Sequence, residues 1–233
     1  MTNRVSTALA ALSALAVLAA IPALAQETRA EPSWTGAYVG AGLGAGYLST
    51  DQYSPPQAGY GGYAAATYAG WHPYGSIQAG LDLQLGTTVL GVRLQHAVTN
   101  SAADSFWKVD ELVSANAVAL TTLSARAGHL FQPQLLGYAS ASVVAGHFNY
   151  GSVDERWSQV DDSLDATRFG LGIGAGIEYR LTDTISVITE YTHLQFITGS
   201  STFDYGTSGF LKNWTYDYTH RLGMVQAGVN FRF

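Results

Sequence analysis

MVQAGVNFRF, residues 224–233, alternates without a break: Val225, Ala227, Val229, Phe231 and Phe233 fall on one side of an extended chain, and Met224, Gln226, Gly228, Asn230 and Arg232 on the other. The first side is apolar down to its aromatic last residue, and the second is mostly polar. A strand divided this way needs a partner for its apolar face, either a packed core or lipid.

The same two-sidedness recurs upstream. Over 76–85, Ile77, Ala79, Leu81, Leu83 and Leu85 alternate with Ser76, Gln78, Gly80, Asp82 and Gln84; over 168–180, Phe169, Leu171, Ile173, Ala175, Ile177 and Tyr179 alternate with four glycines, Glu178 and two arginines. The pattern predicts eight strands, near 34–47, 76–85, 89–97, 117–130, 135–150, 168–180, 185–196 and 219–233. Their connections alternate in length. The stretches 86–88, 131–134 and 181–184 are short turns, whereas 48–75, 98–116, 151–167 and 197–218 are long and polar or aromatic. A face carrying ions and glycines is a poor core for a water-soluble sandwich, because a buried ion costs several kcal/mol unless paired. Turned toward the axis of a closed tube, with the apolar face toward lipid, the same residues make sense. The expected fold is therefore all-β: a closed antiparallel eight-stranded transmembrane up-and-down β-barrel, turns in the periplasm and long loops outside the cell.

The amino terminus agrees with export. Arg4 precedes an apolar run over 8–20, and Ala23, Leu24 and Ala25 form a small-x-small cleavage site. The reading is a signal peptide over 1–25 and a single barrel domain over 26–233. Cleavage would remove 25 of 233 residues and one of 11 basic residues, leaving 208 residues with 10 basic against 17 acidic side chains, a net charge of −7. That balance argues against a nucleic-acid partner. After residue 25 no apolar run reaches the ~18 residues of a membrane helix. Cysteine is absent, so neither disulfides nor thiolates contribute.

The glycine rows at Gly40, Gly42, Gly44, Gly46 and at Gly170, Gly172, Gly174, Gly176 keep a strict period of two. No helix pattern follows them, which argues against a phosphate-binding loop. On the barrel reading they face inward and leave room for larger neighbours.

Several segments carry a family resemblance: WTGAYVG at 34–40, GIGAGIEY at 172–179, TEY at 189–191 and VNFRF at 229–233. Together they resemble the porin-family small outer-membrane proteins of alphaproteobacteria, which are similar to the membrane domain of OmpA and to opacity-type surface proteins. The resemblance implies an eight-stranded barrel, surface antigenicity and an envelope role, without one defined activity. Arg93 departs from it, standing where the family often carries an acid.

From these readings come the candidate functional residues. Asp82, Arg93, Arg126, Glu178 and Glu190 all fall on the inward parity near the periplasmic end, and a narrow lumen would force them into one hydrogen-bonded ion network. That network is expected to plug the tube, giving a structural envelope role; the alternative is a narrow diffusion pore for small solutes. Val229, Phe231 and Phe233 form the aromatic-ended signal expected to engage the outer-membrane assembly machinery. Tyr60, Tyr63, Trp71, Tyr205, Phe210 and Trp214 reach beyond what an interfacial aromatic girdle needs and are expected to form a loop contact surface for host or envelope proteins. Outer-membrane lipid and lipopolysaccharide are the other expected partners. The run Asp154, Glu155, Asp161, Asp162, Asp165 reads as a solvated acidic face, with no calcium-loop spacing. Neither metal nor cofactor is expected. Nor is an enzyme, since the six histidines form no paired metal motif and no serine sits in a nucleophile context; His129 and His193 read as lipid-interface anchors.

Overall fold

A computed structural model describes residues 33–56, 63–99, 104–107, 111–154, 158–203 and 214–233. Among these residues ten strand segments run in chain order: β1 (Gly36–Ser54), β2 (Tyr63–Leu85), β3 (Thr88–Thr99), β4 (Asp104–Trp107), β5 (Glu111–Gln132), β6 (Leu135–Asp154), β7 (Ser158–Arg180), β8 (Ile185–Phe196), β9 (Gly199–Phe203) and β10 (Trp214–Arg232). Neighbours are antiparallel, and β1 pairs with β10 to close the sheet. Because β4 continues β3 against β5, and β9 continues β8 against β10, the ten segments make eight staves. The signal-peptide reading lies outside the described residues.

Following partner to partner around the tube fixes its geometry. Tyr38 faces Gly80, then Arg93, Ser124, Ser142, Gly172, Leu194 and Leu222, and the circuit returns to β1 at Leu48. The path has climbed from residue 38 to residue 48, a stagger of ten residues. With eight staves, this stagger corresponds to a strand tilt of about 40° and an interior that side chains just fill.

Outward positions form a lipid-facing band that includes Leu81, Leu90, Leu123, Val143, Leu171, Ile173, Val187, Val225 and Val229, all exposed in the isolated chain. Aromatics border it. Phe131, Tyr179, Phe231 and Phe233 lie at the end of the short turns, and Tyr47, Trp71 and Phe169 at the other end. Tyr47 and Trp71 pack ring to ring at 5.4 Å. Such rims place amphipathic rings at the headgroups, and the long hairpins then lie outside the cell.

The strands run further than the alternation alone implies. Much of 48–75, 98–116, 151–167 and 197–218, expected as loops, continues as paired strand. Cross-strand polar pairs accompany that extension on the outward side: Thr198 with Thr219 (2.7 Å), Ser200 with Asp217 (2.6 Å), Thr202 with Thr215 (2.8 Å) and Asp51 with Arg221 (3.0 Å). These residues read as loop because they are hydrophilic, yet a ladder outside the membrane wants hydrophilic side chains.

Above the band the wall divides. The β2–β3 ladder ends at Tyr74 opposite Thr99, next to Pro73, which lacks a donor and whose carbonyl instead accepts from Thr99 Oγ1 at 2.9 Å. On the opposite side the β7–β8 ladder ends at Gly170 opposite Phe196, and the Arg168 guanidinium takes over, donating to Ser200 O (3.0 Å) and Ser201 Oγ (2.7 Å). Among the described residues two four-stranded sheets remain above these points, β9-β10-β1-β2 and β4-β5-β6-β7.

Nitroxide labels at Leu171 and Ile173 in the lipid-refolded protein should show high oxygen and low water accessibility, with a label at Asp165 showing the reverse; water contact at both of the first two sites would refute the face assignment.

Candidate functional site

The inward side chains fill the tube in three layers, beginning with Trp34. The sequence pattern placed this residue at the start of a strand. Instead β1 begins at Gly36, whose φ of +148° turns the chain so that Trp34 lies wholly buried across the mouth at the short-turn end. Its indole Nε1 donates to Pro133 O (3.0 Å), its backbone N to Gln84 Oε1 (2.7 Å), and its carbonyl accepts from Arg232 Nη1 (2.7 Å). Arg180 and Arg232 stack over the ring at 4.5 and 5.1 Å.

The second layer holds the expected ions, all five of them buried. Arg126 binds Asp82 twice, Nε to Oδ1 at 2.9 Å and Nη2 to Oδ2 at 2.5 Å, and reaches Glu178 Oε2 through Nη1 at 2.9 Å. Gly91 on the intervening strand makes this possible, since a Cβ there would run into Asp82 Oδ1. Arg93 lies apart from that knot, pairing with Glu190 at 2.5 Å; Glu190 also accepts from Tyr138 Oη (2.6 Å) and Thr192 Oγ1 (2.9 Å). The five residues thus form two clusters instead of one belt. Their link is aromatic, with the Arg126 guanidinium 5.0 Å from the centres of both the Tyr38 and the Tyr138 rings. Gly80 gives Tyr38 its space and Gly176 gives Tyr138 its own, as a Cβ at either would meet the ring.

A third arginine completes the knot. Arg232 binds Asp82 at 2.8 Å and Glu178 at 3.4 Å, so two cations serve two carboxylates. It belongs to the polar side of the closing MVQAGVNFRF segment, and its parity marked it as inward; what hid it was its place beside the chain end, opposite Tyr38. Asn230 Nδ2 (3.0 Å) and Ser186 Oγ (2.5 Å) donate the remaining bonds to Glu178 Oε1. Both carboxylates of the knot are thus met by two arginines each, the kind of pairing under which buried ions are tolerated.

The third layer departs from the expected polar lumen. Leu48, Tyr74, Leu120, Val144, Phe148, Tyr150, Leu194, Phe196, Tyr218, Leu222 and Met224 pack into an apolar, aromatic cluster in the outer half of the tube. His220 is fully buried among them, stacked on Phe148 at 4.2 Å. Its Nδ1 lies 2.8 Å from Thr50 Oγ1 and its Nε2 2.6 Å from Tyr150 Oη, so the two hydroxyls engage both ring nitrogens. Here the tube meets the divided wall, and packed rings hold the two sheets together.

Of the aromatic residues expected as a contact surface, Trp71 is exposed on β2 within the girdle. Tyr63 and Trp214 begin β2 and β10, so both belong to strand instead of loop, and their side chains are outside the described residues, as are Tyr60, Tyr205 and Phe210 altogether. Val229, Phe231 and Phe233 point outward in the lipid band. His129 and His193 occupy outward positions, His129 edge-on to Phe131 at 5.5 Å. Among the described residues no group of three metal-ligating side chains converges.

A closed eight-stave tube with a packed, ion-bearing interior and an apolar girdled exterior defines an integral outer-membrane barrel. Sequence comparison agrees: residues 11–233 match the outer membrane protein beta-barrel domain, and the chain belongs to that family. It is 25% identical over 219 residues to the 31 kDa outer-membrane immunogenic protein of Brucella melitensis, covering 86% of this chain and 84% of that protein. Among solved structures, OprG of Pseudomonas aeruginosa superposes with a TM-score of 0.55 at 13% identity, covering 85% of this chain and 97% of that one. The outer membrane protein AlkL gives 0.51 at 12%, covering 90% and 97%. The protein resides in the outer membrane.

Replacing Arg126 by Met leaves two carboxylates to Arg232 alone, and should lower the stability of the lipid-refolded barrel by about 3–5 kcal/mol, read from urea unfolding midpoints. The paired replacement Arg93→Met with Glu190→Leu should cost less than Arg93→Met alone, because it leaves no orphan carboxylate.

Proposed function

We propose that this protein is a closed envelope scaffold, a barrel that reinforces the outer membrane and presents its outer hairpins as a contact surface, rather than a conduit. One observation carries the reading: inward side chains from all around the wall meet across the bore, and two spaces left between them measure only about 20 and 10 Å³. Trp34, the ion clusters and the aromatic cluster each close the bore at a different height. The role is non-catalytic on this reading, with His220 held as a packing element.

The surface part of the proposal rests on the outer sheets. Both stand beyond the lipid band at the height of lipopolysaccharide sugars; β9 and β10 carry hydroxyl and carboxylate pairs there, and on β7 the exposed Asp165, which accepts from Asn149 Nδ2, favours partners with basic character. The immunogenicity that the Brucella relative is named for fits a barrel whose hairpins are displayed to the outside.

Planar-bilayer recording tests the closed state. The refolded protein should add no sustained conductance. Regular openings that change in size with Arg126→Ala would overturn the scaffold in favour of a narrow diffusion pore. For the outer face, cells lacking the protein should lose adhesion or detergent resistance with small-solute uptake unchanged; loss of uptake alone would contradict the proposal.

A further inference from the structure

Among the described residues the basic side chains are six arginines, and five of them, Arg93, Arg126, Arg168, Arg180 and Arg232, turn into the tube. Arg221 alone points outward, one outward position above Gly223 on β10. Its height is that of the outer rim, since Gly223 lies opposite Tyr47, and Tyr47 opposite Trp71. At the short-turn rim Phe131, Tyr179, Phe231 and Phe233 have no outward arginine or lysine beside them among the described residues. The two rims share their aromatic character and differ in charge.

Asp51 sets how Arg221 is presented. One carboxylate oxygen accepts from Arg221 Nη2 at 3.0 Å and the other from Thr67 Oγ1 at 2.8 Å, so both are committed within the wall. The guanidinium carries five N–H donors, and half of the Arg221 side chain stays exposed. Below it Gly223 leaves a recess between Tyr47 and His193 on the flanking strands. Tyr191 Oη reaches over that recess, 3.2 Å from where a Cβ of residue 223 would stand.

Further down the same stave an apolar groove runs past Leu43, Ala227, Val229 and Val187. From the outside downward, the strip thus presents a cation, then exposed rings with a phenol hydroxyl, then hydrocarbon. A phosphate matches the guanidinium fork, and amphipathic rings suit the zone between headgroup and acyl chain.

We propose that this strip is a binding site for a phosphorylated glycolipid of the outer leaflet, with a phosphate on Arg221, its sugar against Tyr47 and Trp71, and an acyl chain in the groove. The ligand class follows from the order of the groups, and the leaflet from the rim that carries the cation. The site depends neither on the sealing of the bore nor on the tips of the outer hairpins, so it can fail while the scaffold stands, and the reverse holds.

Protein refolded in phosphatidylcholine nanodiscs doped with bisphosphorylated lipid A tests the site, with retained lipid counted by native mass spectrometry after release. The wild type should retain one lipid A. Phosphatidylglycerol or dephosphorylated lipid A in its place should be retained about tenfold less, the order of one lost charge-assisted hydrogen bond. Arg221→Gln should lower lipid A retention about tenfold on the same scale. Gly223→Leu, which fills the recess and leaves Arg221 in place, should lower it too, whereas Phe169→Ala at the same rim on another stave should leave it unchanged. Heat-modifiable electrophoretic mobility checks that each variant is folded; should Arg221→Gln or Gly223→Leu not fold, the other decides. Equal retention by the wild type and a folded site variant overturns the proposal, as does equal retention of phosphatidylglycerol, or a loss of the same size in Phe169→Ala.

Discussion

Within hydrocarbon no water is available to a peptide group, so every backbone N–H and C=O along the spanning strands must find its partner in the chain itself, and the sheet must close. Closure here is the ladder between β1 and β10, running from Tyr38 opposite Arg232 to Tyr53 opposite Asp217. Eight staves and a stagger of ten residues follow as one joint solution, and they set a bore that cannot stay empty. Everything inside the tube answers the question of how to fill that bore without leaving a charge or a polar group alone.

The layers answer it by different physics. At the short-turn end Trp34 covers the mouth with a ring contacted by two arginines, a use of cation–π contact where neither partner can be fully hydrated. In the middle, charge is made tolerable by multiplicity: Asp82 and Glu178 each meet Arg126 and Arg232, and Tyr38 and Tyr138 flank the guanidinium. Glycine supplies the depth, since bulky tyrosines stand over Gly80 and Gly176 where two side chains could not coexist. Toward the outside, packing replaces pairing, and Phe148, Tyr150, Phe196 and Tyr218 enclose His220.

Outside the lipid the closure constraint relaxes, because water can satisfy an edge. The wall divides where Pro73 withdraws a donor and where Arg168 substitutes a side chain for a ladder. The aromatic cluster lies just beneath, and this position gives it a second task, tying together two sheets between which the described residues form no further ladder. A membrane-spanning tube and a two-sheet outer surface are thus one fold in two solvents.

Strand number, inward or outward sense, and the burial of Asp82, Arg93, Arg126, Glu178 and Glu190 were legible in the sequence, because side-chain direction in a strand alternates locally and needs no knowledge of neighbours. The family resemblance was legible for the same reason, its motifs being pieces of strand construction. Only the tertiary structure decided that Arg93 takes Glu190 while Arg126 takes Asp82 and Glu178, that Arg232 joins them, and that Trp34 turns inward at Gly36 instead of extending β1. Those outcomes depend on the stagger accumulated around eight staves and on which glycine faces which ring. Register and closure are properties of the whole circuit, and no single stretch of chain contains them.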